Sequence, residues 1–483
     1  MESGSKTRRR DGWIPNYYPP RSISHDVNLL VSRSGTALVL TDRECRELNE
    51  IVMTAALFDR LERSTHIITP DNHQEVFSRL RSWTAGDYKG PSLHIVSLTR
   101  RCNLNCAYCH MNPVRPHEDR STFDMTTDTV NSVIDFALSS PNDSLTFEFQ
   151  GGEPFLNFST MKYFVTTARE RASETGKSIK FAAVSNLMVL TTEHLAYCRA
   201  NNISVSFSLN GPEEIHNTFR SNWSGGGSYR SLIARLESVR KEFGDVIVGM
   251  PLCVVDDSSC QHLRTVIEYF YESGFSGVAL IRAKPLGSAA RNKIGAGGSN
   301  VIPAYIDALD HILQLNRERS AVFVERMVRV ALLKILSNQN VGFVDWRNPC
   351  GDVLQAITYD IDGEVLPADE ARSNRKMFSL GNVRGRTYDE LIDDDSVFAT
   401  VNLSIRDREP ECRECTYNPY CGVNPVVEYA RTGSARARPY ESEDCKFTLA
   451  LMDWVVTNYL RYPIPLFKMG GFDSYLKDLR PTS

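Results

Sequence analysis

Three cysteines, Cys102, Cys106 and Cys109, stand at a C-x3-C-x2-C spacing in the run Arg100-Arg101-Cys102-Asn103-Leu104-Asn105-Cys106-Ala107-Tyr108-Cys109-His110. The spacing is tight enough for one compact metal centre to take all three thiolates. Three thiolates on a [4Fe-4S] cube leave one iron open to a small molecule. A structural zinc ion would take four ligands in a closed tetrahedron, with His110 or His117 as the fourth donor. Three cysteines cannot all pair as local disulfides. A second block lies further on, Cys412-x2-Cys415-x5-Cys421, with Cys350 before it and Cys445 after it. Four thiolates there suit a fully ligated iron–sulfur cluster or a four-cysteine zinc site.

The elements that would hold these residues alternate. Apolar runs at 92–98, 145–150, 179–185, 203–209, 246–255 and 277–283 read as strands, and helical stretches lie between them. Val130, Val133, Ile134, Ala137 and Leu138 form one helical apolar face; Leu263, Val266, Ile267, Phe270 and Tyr271 form another. Ser258 and Gln261 predict a capping-box start for the second helix. Repeated βα units imply parallel strands with crossover helices, closed as a partial (β/α)6 barrel or open as a doubly wound sheet. Either way the three cysteines leave the C-terminal end of the first strand, the end that carries chemistry in such barrels.

This motif, with Tyr108 before the third cysteine, resembles that of the radical S-adenosylmethionine (SAM) enzymes. The resemblance implies a partial (β/α)6 barrel and a [4Fe-4S] cluster on Cys102, Cys106 and Cys109. In that family, SAM fills the open iron site and is reductively cleaved to a 5′-deoxyadenosyl radical that abstracts hydrogen from substrate. Further matches follow in order. Gln150-Gly151-Gly152-Glu153-Pro154 is similar to the family's SAM amino-group motif. Ser185 and Asn186 fall where the ribose is contacted. Ser208-Leu-Asn210-Gly211-Pro212 falls where relatives commonly carry Asp-Gly-Pro, and Arg220 is placed like the arginine that meets the SAM carboxylate. A one-electron reductant such as flavodoxin or ferredoxin is the implied partner.

The later cysteines resemble the SPASM extension of radical SAM peptide maturases, a seven-cysteine domain holding two auxiliary clusters. Two of the seven positions here are Ala368 and Pro425, whose side chains cannot ligate iron. In sulfatase-maturing relatives both belong to the first auxiliary cluster. The second uses the positions of Cys412, Cys415, Cys421 and Cys445. The expectation is one auxiliary [4Fe-4S] cluster, with Cys350 left over. Asp369 follows the vacant position, where those relatives place an aspartate that takes a proton from substrate. Ala356–Leu366 reads as a hairpin with an Asp362-Gly363 turn.

Before the barrel, residues 12–90 read as a small α+β module after a disordered terminus at 1–11. Strands are expected at 26–32 and 36–40. A helix follows Thr41 with Leu48, Ile51, Val52, Ala55 and Ala56 on one face, and another runs from Asp71 through Trp83. The shape resembles the precursor-recognition element of peptide-modifying enzymes; a cap on the barrel fits equally. Residues 287–300 read as a flexible linker by composition, 301–345 as a helical connection, 346–450 as the SPASM-type domain and 451–483 as a helix and tail. Cys45, Cys198, Cys253 and Cys260 have apolar neighbours and read as inert thiols.

The 483 residues carry a net charge of −4, with no basic–aromatic patch for nucleic acid, no membrane span and no secretory signal, so a cytoplasmic protein is expected. In detail the chain is most similar to the His-Xaa-Ser system maturases, including the Tyr420–Pro425 run, which implies a ribosomally made precursor peptide as substrate and a second radical SAM maturase as partner. A sulfatase-maturase-type side-chain oxidation, and an iron–sulfur peptide-binding protein without catalysis, fit the same residues.

Overall fold

The computed structural model describes residues 12–461 and the backbone of Thr7–Arg8, apart from 51, 88, 248, 320–321, 338–339, 341–343, 437 and 439–440, and without the side chains of 337 and 459–461. The tail beyond 461, with Phe467, Phe472 and Tyr475, lies outside the described residues, as does most of 1–11. Thr7–Arg8 pair antiparallel with Met53–Thr54.

Six parallel strands follow one another around the barrel: Leu93–Thr99, Ser144–Gly151, Ser178–Ser185, Ile203–Phe207, Leu252–Val255 and Gly277–Arg282. The first four pair in chain order, and so do the last two. Parallel bridges Val205–Ile247 and Ser208–Leu252 join the two sets. A doubly wound sheet would reverse its order at a switch point; neighbours here never reverse, so the partial barrel is the arrangement found. The stretch expected as one strand at 246–255 is interrupted, with Gly249 at φ 79°. Phe147, Phe149, Val205, Phe207 and Ile267 are among the buried side chains that fill the space between strands and helices.

The two periodic helices form as Thr127–Leu138 and Leu263–Glu272. The expected capping box does not. Gln261 donates to the Ser258 carbonyl at 3.2 Å, and Asp256 accepts the Ser259 N–H at 2.8 Å, so a carboxylate two residues earlier caps this turn. The linker expected at 287–300 is also corrected. Gly287–Arg291 is a short helix whose Ser288 and Ala289 are buried, because its backbone packs under the cysteine loop. The helical connection after 301 is two helices, Val301–Glu318 and Arg326–Ser337, separated by Val324–Glu325, which pairs with the sixth barrel strand.

The predicted hairpin forms between Ala356–Tyr359 and Glu364–Leu366, with Gly363 at φ 84° in the turn. It adds to the barrel itself: Ala356–Tyr359 lies parallel to the first barrel strand. The cysteine-rich region is thereby fixed to the strand that launches the first cysteine loop.

The N-terminal module has three antiparallel strands, Tyr17–Ser24, Val27–Ser32 and Ala37–Leu40, and the helices Asp42–Glu50, Ala55–Arg63 and His73–Thr84. The first strand was not apparent in the sequence. The single helix expected through Ala56 is two: Thr54 caps a new helix by accepting the Leu57 N–H at 3.3 Å, and Val52 is exposed. Leu30, Leu38 and Leu40 face the module's own helices, while Leu29, Val31 and Ala37 join the main core. A sheet buried on both faces needs apolar residues on both, which is why these strands read as continuous apolar runs. The module does not simply cap the barrel; its first strand docks on the cysteine block. Arg21 pairs with Asp453 at 2.7 Å, Thr416 donates to the Pro19 carbonyl, and the Tyr18 hydroxyl donates to Asn418 at 3.1 Å.

Candidate active site

The cysteine loop leaves the first barrel strand and is tied on three sides by main-chain bonds. Gly152 and Glu153 donate their N–H groups to the carbonyls of Thr99 and Arg101 at 2.7 and 2.8 Å. A Cβ on Gly151 would stand 2.2 Å from the Thr99 oxygen, and one on Gly152 2.2 Å from that of Arg101. Both glycines therefore serve close approach of the second strand end to the loop. From another side, Asn105 and Ala107 donate to the carbonyls of Ser221 and Phe219, each at 2.8 Å, and the Trp223 indole donates to the Cys102 carbonyl at 2.8 Å. From below, Ser288 donates to the Cys109 carbonyl at 2.8 Å.

Within this frame Glu153 is buried and accepts from the Ser185 hydroxyl at 2.9 Å and the Asn186 N–H at 2.8 Å. Burial raises its carboxyl to about 7. The Glu153 side chain is therefore a latch between the second and third strand ends. The Asn186 amide donates to Asn103 at 2.8 Å and lies 3.9 Å from the Cys102 sulfur. Arg220, buried, donates to the Tyr108 hydroxyl at 2.8 Å, which in turn donates to Asn210 at 3.1 Å. Asn210 Nδ2 is buried without a partner. Ser208 is half-buried at the end of the fourth strand.

The structure thus gathers Cys102, Cys106, Cys109, Glu153, Ser185, Asn186 and Arg220 around one loop. Gln150 is turned elsewhere: its amide donates to Glu148 at 2.6 Å and its oxygen accepts from Arg372 at 2.6 Å. Arg372 comes from beyond the hairpin and also reaches Ser97 at 2.7 Å. Asp369 arrives on the same turn, and its carboxylate lies 3.3 Å from Nε2 of His110, the residue after Cys109. It is a partly buried group facing the loop. Burial opposes its charge, but His110 and Arg372 hold the carboxyl well below the usual range, so it is ionised. Sequence reasoning missed Arg372, His110 as a carboxylate partner, and Lys284, which pairs with Glu370 and with Asp345 at 3.1 Å. These meet only through the fold.

The second cysteine group lines a cavity of about 430 Å³ formed by Cys412, Cys415, Cys421 and Cys445 with Arg406 and Pro19–Ser22. Burial pushes the Cys412 thiol up to about 12 and Cys445 up to about 11, and Arg406 opposes both shifts. Arg406 is almost wholly buried, yet its Nη1 has no partner. Four thiols and one orphaned guanidinium donor form a site for a centre bearing negative charge, as a thiolate-ligated iron–sulfur cluster does. At the first loop the donor set of three adjacent free thiols likewise fits a cluster with an open iron.

Residues 96–256 match the family model of the Radical SAM superfamily. The cysteine-type anaerobic sulfatase-maturating enzyme of Clostridium perfringens is 24% identical over 68% of this chain and 87% of its own length. The serine-type enzyme of Bacteroides thetaiotaomicron is 23% identical over 68% and 81%. Among solved structures, the fold is shared with native anSMEcpe with bound AdoMet, at TM-score 0.61, 19% identity and coverage of 76% of this chain and 98% of that one. It is also shared with Streptococcus suis SuiB bound to precursor peptide SuiA, at 0.54, 13%, 91% and 100%. A [4Fe-4S] cluster and SAM are the cofactors that go with this superfamily. Together the barrel, the loop and these matches give the chain a radical SAM fold, with the superfamily match on residues 96–256 and similarity to the anaerobic sulfatase-maturating enzymes over about two thirds of its length.

Proposed function

We propose that this radical SAM enzyme modifies a residue of a ribosomally made precursor peptide by hydrogen abstraction. The observation that carries the hydrogen-abstraction chemistry, which the sulfatase-type reading shares, is the meeting of Asp369, supplied by the cysteine-rich region, with His110 beside the three-cysteine loop. Cys102, Cys106 and Cys109 hold the SAM cluster, and Gly151, Gly152, Glu153, Ser185, Asn186, Ser208 and Arg220 shape the SAM site around it. The bound cluster and SAM supply the hydrogen-abstracting radical. Glu153 does its part by locking two strand ends, and Arg220 by placing a buried positive charge against Tyr108. Asp369 is the carboxylate placed beside the loop, against His110, to take a substrate proton. Cys412, Cys415, Cys421 and Cys445 hold one auxiliary cluster, whose four thiolates leave no iron open to substrate.

The test is anaerobic turnover of the reconstituted enzyme with a reductant and a His-Xaa-Ser precursor peptide. Peptide-dependent 5′-deoxyadenosine with a matching change in peptide mass is expected. Turnover only of a sulfatase-derived cysteine or serine peptide would replace this reading with the sulfatase-type one, which the relatives and the placement of Asp369 favour as the second possibility. Tight peptide binding with no 5′-deoxyadenosine would refute both.

A further inference from the structure

Outside both cysteine groups lies a third set of metal-type donors. Asp345, Cys350 and Asp352 each present one ligand atom within 4.8 Å of the others. Cys350 and Asp352 are almost wholly buried, 0% and 2% exposed. We infer that Asp345, Cys350 and Asp352 form a binding site for a single divalent cation of the zinc class, separate from the iron–sulfur centres.

Three observations converge on it. The first is the donor set: one thiolate and two carboxylates match the ligands that zinc takes, at separations a tetrahedral ion can span. The second is the orphaned oxygen. Asp352 Oδ1 is 3.5 Å from both the Cys350 sulfur and the Asn424 amide, while Oδ2 is buried with no hydrogen-bond partner. A carboxylate oxygen in that position wants a cation or a proton. Glu370 Oε2, on the turn that the Val353 N–H holds through the Pro367 carbonyl at 3.2 Å, is orphaned in the same way. The third is charge. Asp345, Asp352 and Glu370 bring three carboxylates together, and Lys284 pairs with two of them, Asp345 and Glu370. No ion pair among the described residues reaches Asp352. A divalent ion would offset most of this excess, with the Cys350 thiol releasing its proton as the metal–sulfur bond forms.

The walls are built for a fixed geometry. Gly351 donates its N–H to the Val344 carbonyl at 2.9 Å, closing the loop that carries the three donors. A Cβ on Gly422 would stand 2.0 Å from the Asp345 main-chain carbonyl oxygen, so only glycine lets the Cys421 segment lie against that loop. Three protein ligands leave a coordination position open, which Glu370 or water would fill. Alanine at 368 supplies no competing thiol.

The experiment uses the full chain with its clusters reconstituted. Excess zinc sulfate is added anaerobically, loose metal is removed with a weak chelator, and zinc per chain and the zinc K-edge absorption are measured. About one retained zinc, with one sulfur neighbour near 2.3 Å and the rest oxygen near 2.0 Å, is the expected result. Cys350→Ser and Asp352→Asn, made separately, should each lower zinc retention about tenfold or more while leaving iron content and cluster absorption at wild-type levels. The inference is overturned if wild type retains no zinc, or if the zinc has four sulfur neighbours and so has taken the Cys412 set. It is overturned equally if both variants lose iron along with zinc, because Cys350 would then serve a cluster.

Discussion

The three-cysteine loop and the four-cysteine cavity use the same side chain for opposite ends. The loop is held by its backbone: strand ends, the Ser221 segment and the 287–291 helix all bond to its main chain, leaving the thiols on one short stretch. The cavity is held by distance in sequence, for Cys445 comes from the helix Glu443–Arg461 and one wall from Pro19–Ser22. A centre that must exchange a ligand needs a rigid rim with a vacancy. A centre that must keep all its ligands needs enclosure and a buried counter-charge, the part that buried Arg406 in the cavity wall would play.

The largest effect should come from removing the loop's thiols. Changing Cys102, Cys106 and Cys109 together to alanine should abolish 5′-deoxyadenosine formation and lower iron from about eight to about four per chain, measured by iron analysis. Loss of all iron would mean that the two sites are not independent. Next is Asp369→Asn, for which peptide modification should fall about 100-fold or more while SAM cleavage continues, seen as 5′-deoxyadenosine released without product. Equal loss of both would instead make Asp369 a positioning group for the loop through His110.

Arg406→Met tests the cavity alone. It should reduce iron towards about four per chain with the SAM cluster's spectrum retained; unchanged iron would show that the orphaned guanidinium is not the counter-charge. Ser185→Ala removes one of the partners of buried Glu153 and should destabilise the fold by about 1–3 kcal/mol in chemical denaturation. Smallest is Tyr108→Phe, which unlinks Arg220 from Asn210 and should cost about 1 kcal/mol in SAM affinity by titration.

The barrel was legible because each βα unit carries its own periodicity, and the cysteine motifs because their spacing is local. What the sequence hid depends on approach between distant segments. Residues 287–300 have the composition of a linker, but Ser288 finds the Cys109 carbonyl and becomes buried. The strand Tyr17–Ser24 contains two prolines and lacks clear alternation; it forms because it pairs with Val27–Ser32 and docks on Thr416 and Asp453. Gln150 sat inside a motif, yet Arg372, more than two hundred residues later, claims its oxygen. Asp345 and Asp352 belong to no motif, and they meet Cys350 only in the fold.

The walls of the four-cysteine cavity also impose an order on biosynthesis. Its fourth thiol is Cys445, and the Asp453 that anchors Arg21 comes eight residues later. A ribosome must therefore have released the chain through residue 453 before this cavity exists, whereas the strands and loop that hold Cys102, Cys106 and Cys109 have emerged long before. Iron and sulfide could therefore reach the first set of thiols before the second set is assembled, and the second set only once residue 453 is free to fold.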